Sequence, residues 1–170
     1  MYEKIISRRS TKCYKSDMPS EELIDKVINA GLYAANGRNW QSSIIIAVKD
    51  KEVRDKLSAL NAKIMGVDGT DPFYGAPVIL CVLADTSKRT YIYDGSLTMG
   101  NMMLAAHALG LGSCWIHRAK EEFESEEGKE ILHMLGIEGD FEGIGNLILG
   151  YPDGEEREAA PRNENRVYKI

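Results

Sequence analysis

Four short apolar runs alternating with amphipathic helical segments over 170 residues predict, by pattern alone, one α/β domain built on a parallel sheet. Three observations carry this. The runs are β-branched and bounded by charges or glycine, the intervening segments repeat their apolar residues at helical spacing, and no linker, internal repeat or low-complexity tract divides the chain.

Each element has its own justification. Pro19-Ser20-Glu21-Glu22 opens the first long helix, with Ser20 as cap and two acids in the positive first turn. Leu23, Val27, Ala30 and Ala34 then share a face to about Ala35. Asn36-Gly37-Arg38-Asn39 breaks that helix, with Asn36 or Gly37 expected in the left-handed conformation of a helix C-cap. Ser43 to Val48 reads as a core strand. A helix over 51–65 places Val53, Leu57, Leu60 and Ile64 on one stripe, and Gly66 to Gly75 is a loop. The unbroken apolar run from Pro77 to Ala84 predicts a strand buried on both faces. Asp94 opens a helix ending near Leu109, and Ser113 to His117 forms the third strand. Ser125 to Leu135 is a polar-faced helix closed by Gly136, Ile144 to Gly150 is the fourth strand, and 152–170 is a charged, weakly periodic tail.

Composition narrows the function classes. A formal net charge of -5 leaves no broad positive field for a nucleic-acid backbone, although a few local arginines suffice for a small anion. Cys13, Cys81 and Cys114 are odd in number and far apart, which points to a reducing, cytoplasmic setting and to no structural metal. Residues 1–9 lack the apolar stretch of a secretory signal. No Asp, Glu, Lys or Arg occurs from Gly95 to His117, but Asn101, His107 and Gly110-Leu111-Gly112 interrupt that run, so a buried helix leading into a buried strand is expected there and no membrane span.

Chemistry-bearing residues gather in a few places. Arg8, Arg9, Ser10, Thr11 and Lys12 put three cations and two hydroxyls in five residues, a set that suits a phosphate and equally describes a solvated basic arm. Asn36, Asn39 and Gln41 flank Gly37 and Arg38, and amides that donate and accept suit the edge of a heterocycle such as a flavin. The motifs G-x-G-x-x-G, G-x-x-x-x-G-K, G-x-S-x-G and H-E-x-x-H are all absent, which argues against a Rossmann dinucleotide fold, a P-loop enzyme, a serine hydrolase of that type and a zincin. Glu121, Glu122, Glu124, Glu126 and Glu127 read as a solvated acidic face, Met99, Met102 and Met103 as core or interface filler, and His107 as a packed, hydrogen-bonded residue.

Taken in register, R-R-S-T-K-x-Y near the start, N-x-Q thirty residues on, D-G-S-L-T-M-G-N-M-M-L-A-A-H-A-L-G-L-G-S-C-W-I at 94–116, and G-Y-P followed by P-R near the end resemble the nitroreductase family of FMN-dependent oxidoreductases. The resemblance runs along essentially the whole chain. It implies an α+β fold in place of the parallel α/β sheet: a central mixed β-sheet flanked by helices, in an intertwined homodimer whose 152–170 extension wraps the partner. It further implies FMN, with NADH or NADPH as co-substrate, and a small flat electron-poor acceptor such as a nitroaromatic or quinone, reduced in ping-pong order on the flavin with no catalytic side chain required. Arg8, Arg9, Ser10, Lys12 and Arg162 map to the phosphate side. Asn36, Gly37, Asn39 and Gln41 map to the turn that lies on the flavin, often that of the partner. Ile116, His117 and Arg118 map to the segment whose backbone N–H groups approach flavin N5. Arg38, Tyr74 and His117 are the side chains expected to meet substrate. Two departures are visible: Ser42-Ser43 stand where many members have Pro-Trp, and Ala160 stands where many have lysine. A flavin store or sensor without turnover, and a reductive dehalogenase on the same fold, are the competing readings.

Overall fold

The computed structural model describes residues 1–154 and 158–170; residues 155–157 of the predicted extension lie outside the described residues. In chain order the elements are α1 (Tyr2–Ser7), α2 (Glu21–Leu32), a short 3-10 turn (Gly37–Asn39), β1 (Ser43–Val48), α3 (Lys51–Met65), β2 (Val78–Asp85), α4 (Tyr91–Ala108), β3 (Gly112–Ile116), α5 (Ala119–Glu124), α6 (Glu126–Met134) and β4 (Phe141–Gly150). The class is α+β, with four strands in the order β1-β2-β4-β3. Every pairing within the chain is antiparallel, so the protomer's own four strands carry no parallel component of a mixed sheet.

The parallel arrangement read from the alternation is corrected for a local reason at each crossover. After α3 the 66–77 segment doubles back along the helix, where Arg54 Nη2 and Ser58 Oγ both donate to Asp71 (2.5 and 2.6 Å). It thereby delivers β2 to the end at which β1 stopped, pairing Val48 with Ile79. β2 and β3, joined by α4, do run the same way. β4 lies between them, antiparallel to both.

Alternation along β2 divides the core in two. Ile79, Cys81 and Leu83 pack with Leu57, Phe73, Phe123 and Ile148 on the α3, α5 and α6 face. Val78, Leu80 and Val82 pack with Ile24, Val27, Met99, Met102 and Leu147 on the α2 and α4 face. Burying both faces explains why this strand is unbroken in its hydrophobicity. α3 is capped as a sequence reader would expect, Asp50 accepting from Glu52 and Val53 N–H and Gly66 closing it with φ 77°. Asp71 also accepts from the N–H groups of Phe73 and Gly75, so this loop is pinned to α3 and not free to act as a lid. Burial opposes ionisation of Asp71, but the bonds from Arg54, Ser58 and the two N–H groups outweigh it and hold its carboxyl below the usual range.

The Gly95–His117 run becomes α4 and β3, and among the described residues no helix is long and apolar enough to cross a membrane. Met99 and Met102 are fully buried, and His107 meets Ser7 Oγ at 2.9 Å, tying α1 to α4. Glu122 corrects the solvated acidic face: it is fully buried, because α5 turns that side chain inward between the sheet and α3. α1 and α5 are six-residue helices that the spacing left unassigned, too short to show a periodic apolar face.

Candidate functional site

The N-terminal arm is held by the sheet and not left in solvent. Thr11 N–H donates to Ser113 O (3.0 Å), Lys15 N–H to Tyr151 O, and Tyr14 bridges to Pro152. The Thr11 side chain fills the space above Gly112, where a Cβ would lie 2.6 Å from its hydroxyl. Tyr14 donates to Thr11 O, and burial near Cys114 pushes its phenol well above the usual range. Arg8 and Arg9 are therefore carried at a fixed place, half-buried. Arg9 Nη1 donates to the carbonyls of Ile6 and Arg8 (2.8 and 2.7 Å). Nη1 of Arg8 and Nε of Arg9 are buried with no hydrogen-bond partner. Guanidinium nitrogens in that state call for an acceptor, and an anion suits them, because leaving them unpaired costs more than an ordinary hydrogen bond returns. Ser10 and Lys12 are exposed beside them, and the Lys12 ammonium lies 5.4 Å from the centre of the Tyr74 ring.

The Asn36–Gln41 turn is built by α4. Asp94, buried in the first turn of that helix, accepts from Gly37 N–H (2.9 Å), Ser42 Oγ (2.9 Å) and Thr90 Oγ1 (3.0 Å). Gly37 is required here by close approach, since a Cβ would come within 2.4 Å of Thr90 Oγ1. Its role is thus different from the helix cap expected of Asn36-Gly37: α2 ends at Leu32, and Asn36 is extended with φ -145°. Ser42, part of the Ser42-Ser43 departure from the family pattern, is a residue that fixes the start of β1, with its hydroxyl on Asp94 and its carbonyl accepting Asp85 N–H. The Asn36 amide oxygen accepts Gln41 N–H and so shapes the turn, while Asn39 and Gln41 are exposed and Arg38 stacks near Trp40 (5.7 Å).

Backbone strain is concentrated on these residues. Among the described residues six non-glycines have positive φ, and five are predicted site positions: Arg38 (52°), Asn39 (56°), Gln41 (49°), Tyr74 (53°) and Arg118 (78°). Each costs on the order of 1–3 kcal/mol, and such costs persist where the surroundings enforce them.

At the end of β3, Ile116 is buried and paired with Asn146, and His117 is exposed with its ring tilted against Trp115 at 5.9 Å. Arg118 caps α5, its Nε donating to Asn61 Oδ1 (2.9 Å). Asn61 Nδ2 in turn donates to His117 O (2.9 Å) and to Glu122 Oε1 (2.6 Å). Neither Asn61 nor Glu122 was a sequence candidate; Asn61 shares the buried face of α3 with Arg54, Leu57, Ser58 and Ala62, a mixed face that no apolar periodicity marks.

One chain does not bring these groups together. The arm and Tyr74 sit at the end of the sheet where β2 starts and β4 finishes, whereas the 36–41 turn sits where β1 starts and β2 finishes. Seven steps along β2 separate those ends, about 23 Å at ~3.3 Å per residue. Ile116 and His117 lie between. Arg38, Tyr74 and His117 accordingly do not line a single cleft within the protomer. Among the described residues Arg162 donates hydrogen bonds only to Ala160 O, and the tail residues 158–170 are all exposed. No three His, Cys, Asp or Glu side chains cluster at metal-binding distance among the described residues.

A profile of the nitroreductase family matches residues 5–151. The chain is 30% identical over 171 residues to a protein of Archaeoglobus fulgidus named NADH dehydrogenase/NAD(P)H nitroreductase, covering 97% of this chain and 94% of that one. Its backbone is similar to that of an FMN-dependent nitroreductase from Clostridium difficile, with a TM-score of 0.82 at 27% identity over 99% of this chain and 98% of the other. It also resembles a nitroreductase with bound FMN from Bacteroides fragilis, with a TM-score of 0.88 at 23% identity over 99% and 97% of the two chains.

Proposed function

The chain belongs to the nitroreductase family, and from that premise we propose that it is a cytoplasmic, homodimeric FMN-dependent NAD(P)H oxidoreductase that reduces flat, electron-poor acceptors. The observation that carries the reading is the pair of buried, unpartnered guanidinium nitrogens on Arg8 and Arg9. Their charge and donor geometry fit a phosphate, and Ser10 and Lys12 lie next to them in sequence. Bound FMN would supply two-electron chemistry, with hydride from NADH or NADPH in and electrons to a nitroaromatic or quinone out, in ping-pong order.

The protein's own work is to hold and orient. Arg8, Arg9, Ser10 and Lys12 hold the phosphate end. Asn39 and Gln41, presented at positive φ on the turn that Asp94 braces, offer donors and acceptors for the edge of the ring. The segment 116–118 offers backbone N–H groups. Because the turn and the arm of one chain lie at opposite ends of its sheet, the turn serves the site of a second copy. Arg162 joins the partner's phosphate from a tail whose described residues 158–170 are all exposed on its own subunit. Apolar side chains exposed on α1, α2 and α4, among them Ile5, Ile6, Leu32, Tyr93 and Leu97, give that second copy its contact surface. Arg38, Tyr74 and His117 then converge across the interface, where they contact the acceptor or nicotinamide.

Turnover distinguishes an enzyme from a flavin store. Steady NADH or NADPH oxidation that requires both FMN-loaded protein and a quinone or nitroaromatic is the expected result; reduction of the bound flavin once, without passage of electrons to any acceptor, would establish the store.

A further inference from the structure

Under the 116–118 segment lies a buried polar cluster that the flavin chemistry does not itself require. Glu122 is fully buried on α5, and each carboxylate oxygen meets a side-chain amide: Oε1 accepts Asn61 Nδ2 at 2.6 Å, and Oε2 accepts Asn146 Nδ2 at 2.5 Å. Asn61, also fully buried, continues the chain outward to His117 O and to the Arg118 guanidinium. We propose that Glu122 is the positioning residue of the His117–Arg118 turn, holding through Asn61 the backbone that faces the flavin, and that loss of its proton loosens that turn. This rests on the reading of 116–118 as a flavin-facing segment.

Burial favours the protonated state, and it outweighs the two amide hydrogen bonds, which favour the carboxylate. From α3 and β4 come only the neutral amides of Asn61 and Asn146, from β2 the thiol of Cys81, and from α6 the backbone at Gly128. Burial is the largest influence and pushes the carboxyl up to about 7, against the hydrogen bonds from Asn146 and Asn61 and the attraction of Arg118, while Glu121 adds to the rise. Asn146 Oδ1 is buried without a partner. A half-turn of that amide lets a protonated Glu122 donate to it while Oε1 still accepts from Asn61. Ionised, the same carboxylate gains by reaching water, which requires the α5 turn to open and Asn61 to release His117.

Amide hydrogen exchange across 116–119 in FMN-free protein reads this directly. Protection, corrected for intrinsic rates, is expected to fall in the wild type by about tenfold or more from pH 5 to pH 7 and then level off, since only the open form is deprotonated in that window. Glu122→Gln, a permanent mimic of the protonated acid, should show no such fall. Asn61→Ala should lower protection at every pH and weaken FMN binding. A wild-type profile parallel to that of Glu122→Gln, or Asn61→Ala protection equal to wild type, overturns the proposal. FMN that binds without adding protection at 117 and 118 overturns it differently, by removing the flavin-facing reading on which it rests while leaving the pH step in place.

Discussion

A guanidinium nitrogen buried without an acceptor is paid for only if something binds there, and this makes Arg8 the most informative single residue. Its Nη1 is in that state, at the end of a helix whose Ser7 is anchored to His107. Arg8→Ala should lower FMN affinity roughly tenfold to a hundredfold, the equivalent of about 1.5–3 kcal/mol for a charge-assisted bond, with the fold intact. Quenching of flavin fluorescence on titration measures it, and unchanged affinity would exclude Arg8 from the phosphate. Asp94 acts differently, because three donors from the turn, the start of β1 and the start of α4 converge on its carboxylate. Asp94→Ala should cost about 2–4 kcal/mol in urea unfolding through those orphaned donors. It should also weaken FMN retention, since Gly37 and Ser42 fix the two ends of the strained turn. A variant as stable as wild type would show that the turn holds itself.

Elements with strong local signals were legible in the sequence, and those fixed by distant contacts were not. β1 and α3 fall where β-branching and capping place them, over Ser43–Val48 and Lys51–Met65. β4 starts earlier than its apolar run, at Phe141, because Glu142 and Gly143 pair with Ala84 and Leu83 whatever their hydrophobicity. The candidate site was proposed from residue type and order: Arg8, Arg9, Asn39 and Gln41 from their motifs, and Arg118 from the family resemblance. Asn61 and Glu122 were not, since nothing in K-E-E-F-E distinguishes an inward acid from its solvated neighbours until α5 is docked. That docking sets a pH dependence. With its carboxyl raised from 4.5 to about 7 by burial, folded protein keeps a proton on Glu122 that unfolded chain has released between those values. Its contribution to stability therefore falls as pH rises through that window, by up to about 3 kcal/mol, and changes no further above it. Urea midpoints of wild type and Glu122→Gln should diverge from pH 5 to pH 7 in favour of the variant; parallel midpoints would mean that Glu122 titrates normally.

At the scale of the molecule, one chain carries its two groups of candidate site residues about 23 Å apart along β2, and the two-fold arrangement proposed above would bring them together. Direction of the strands could not be read from alternation, because it depends on β4 passing between β2 and β3 and on the 66–77 loop returning along α3. The tail is the cheapest test of the assembly. Removing residues 162–170 leaves the protomer core untouched, as every described residue in that stretch is exposed. The truncated protein should lose dimer and FMN together in size-exclusion chromatography with flavin detection. A stable FMN-loaded monomer would contradict the shared site.

The absorption spectrum of the purified protein is the most direct test of the central claim. The account predicts a yellow protein carrying one FMN per chain, bleached by NADH or NADPH without oxygen and recoloured by a quinone or nitroaromatic. A colourless protein that takes up no FMN when the cofactor is supplied would contradict it.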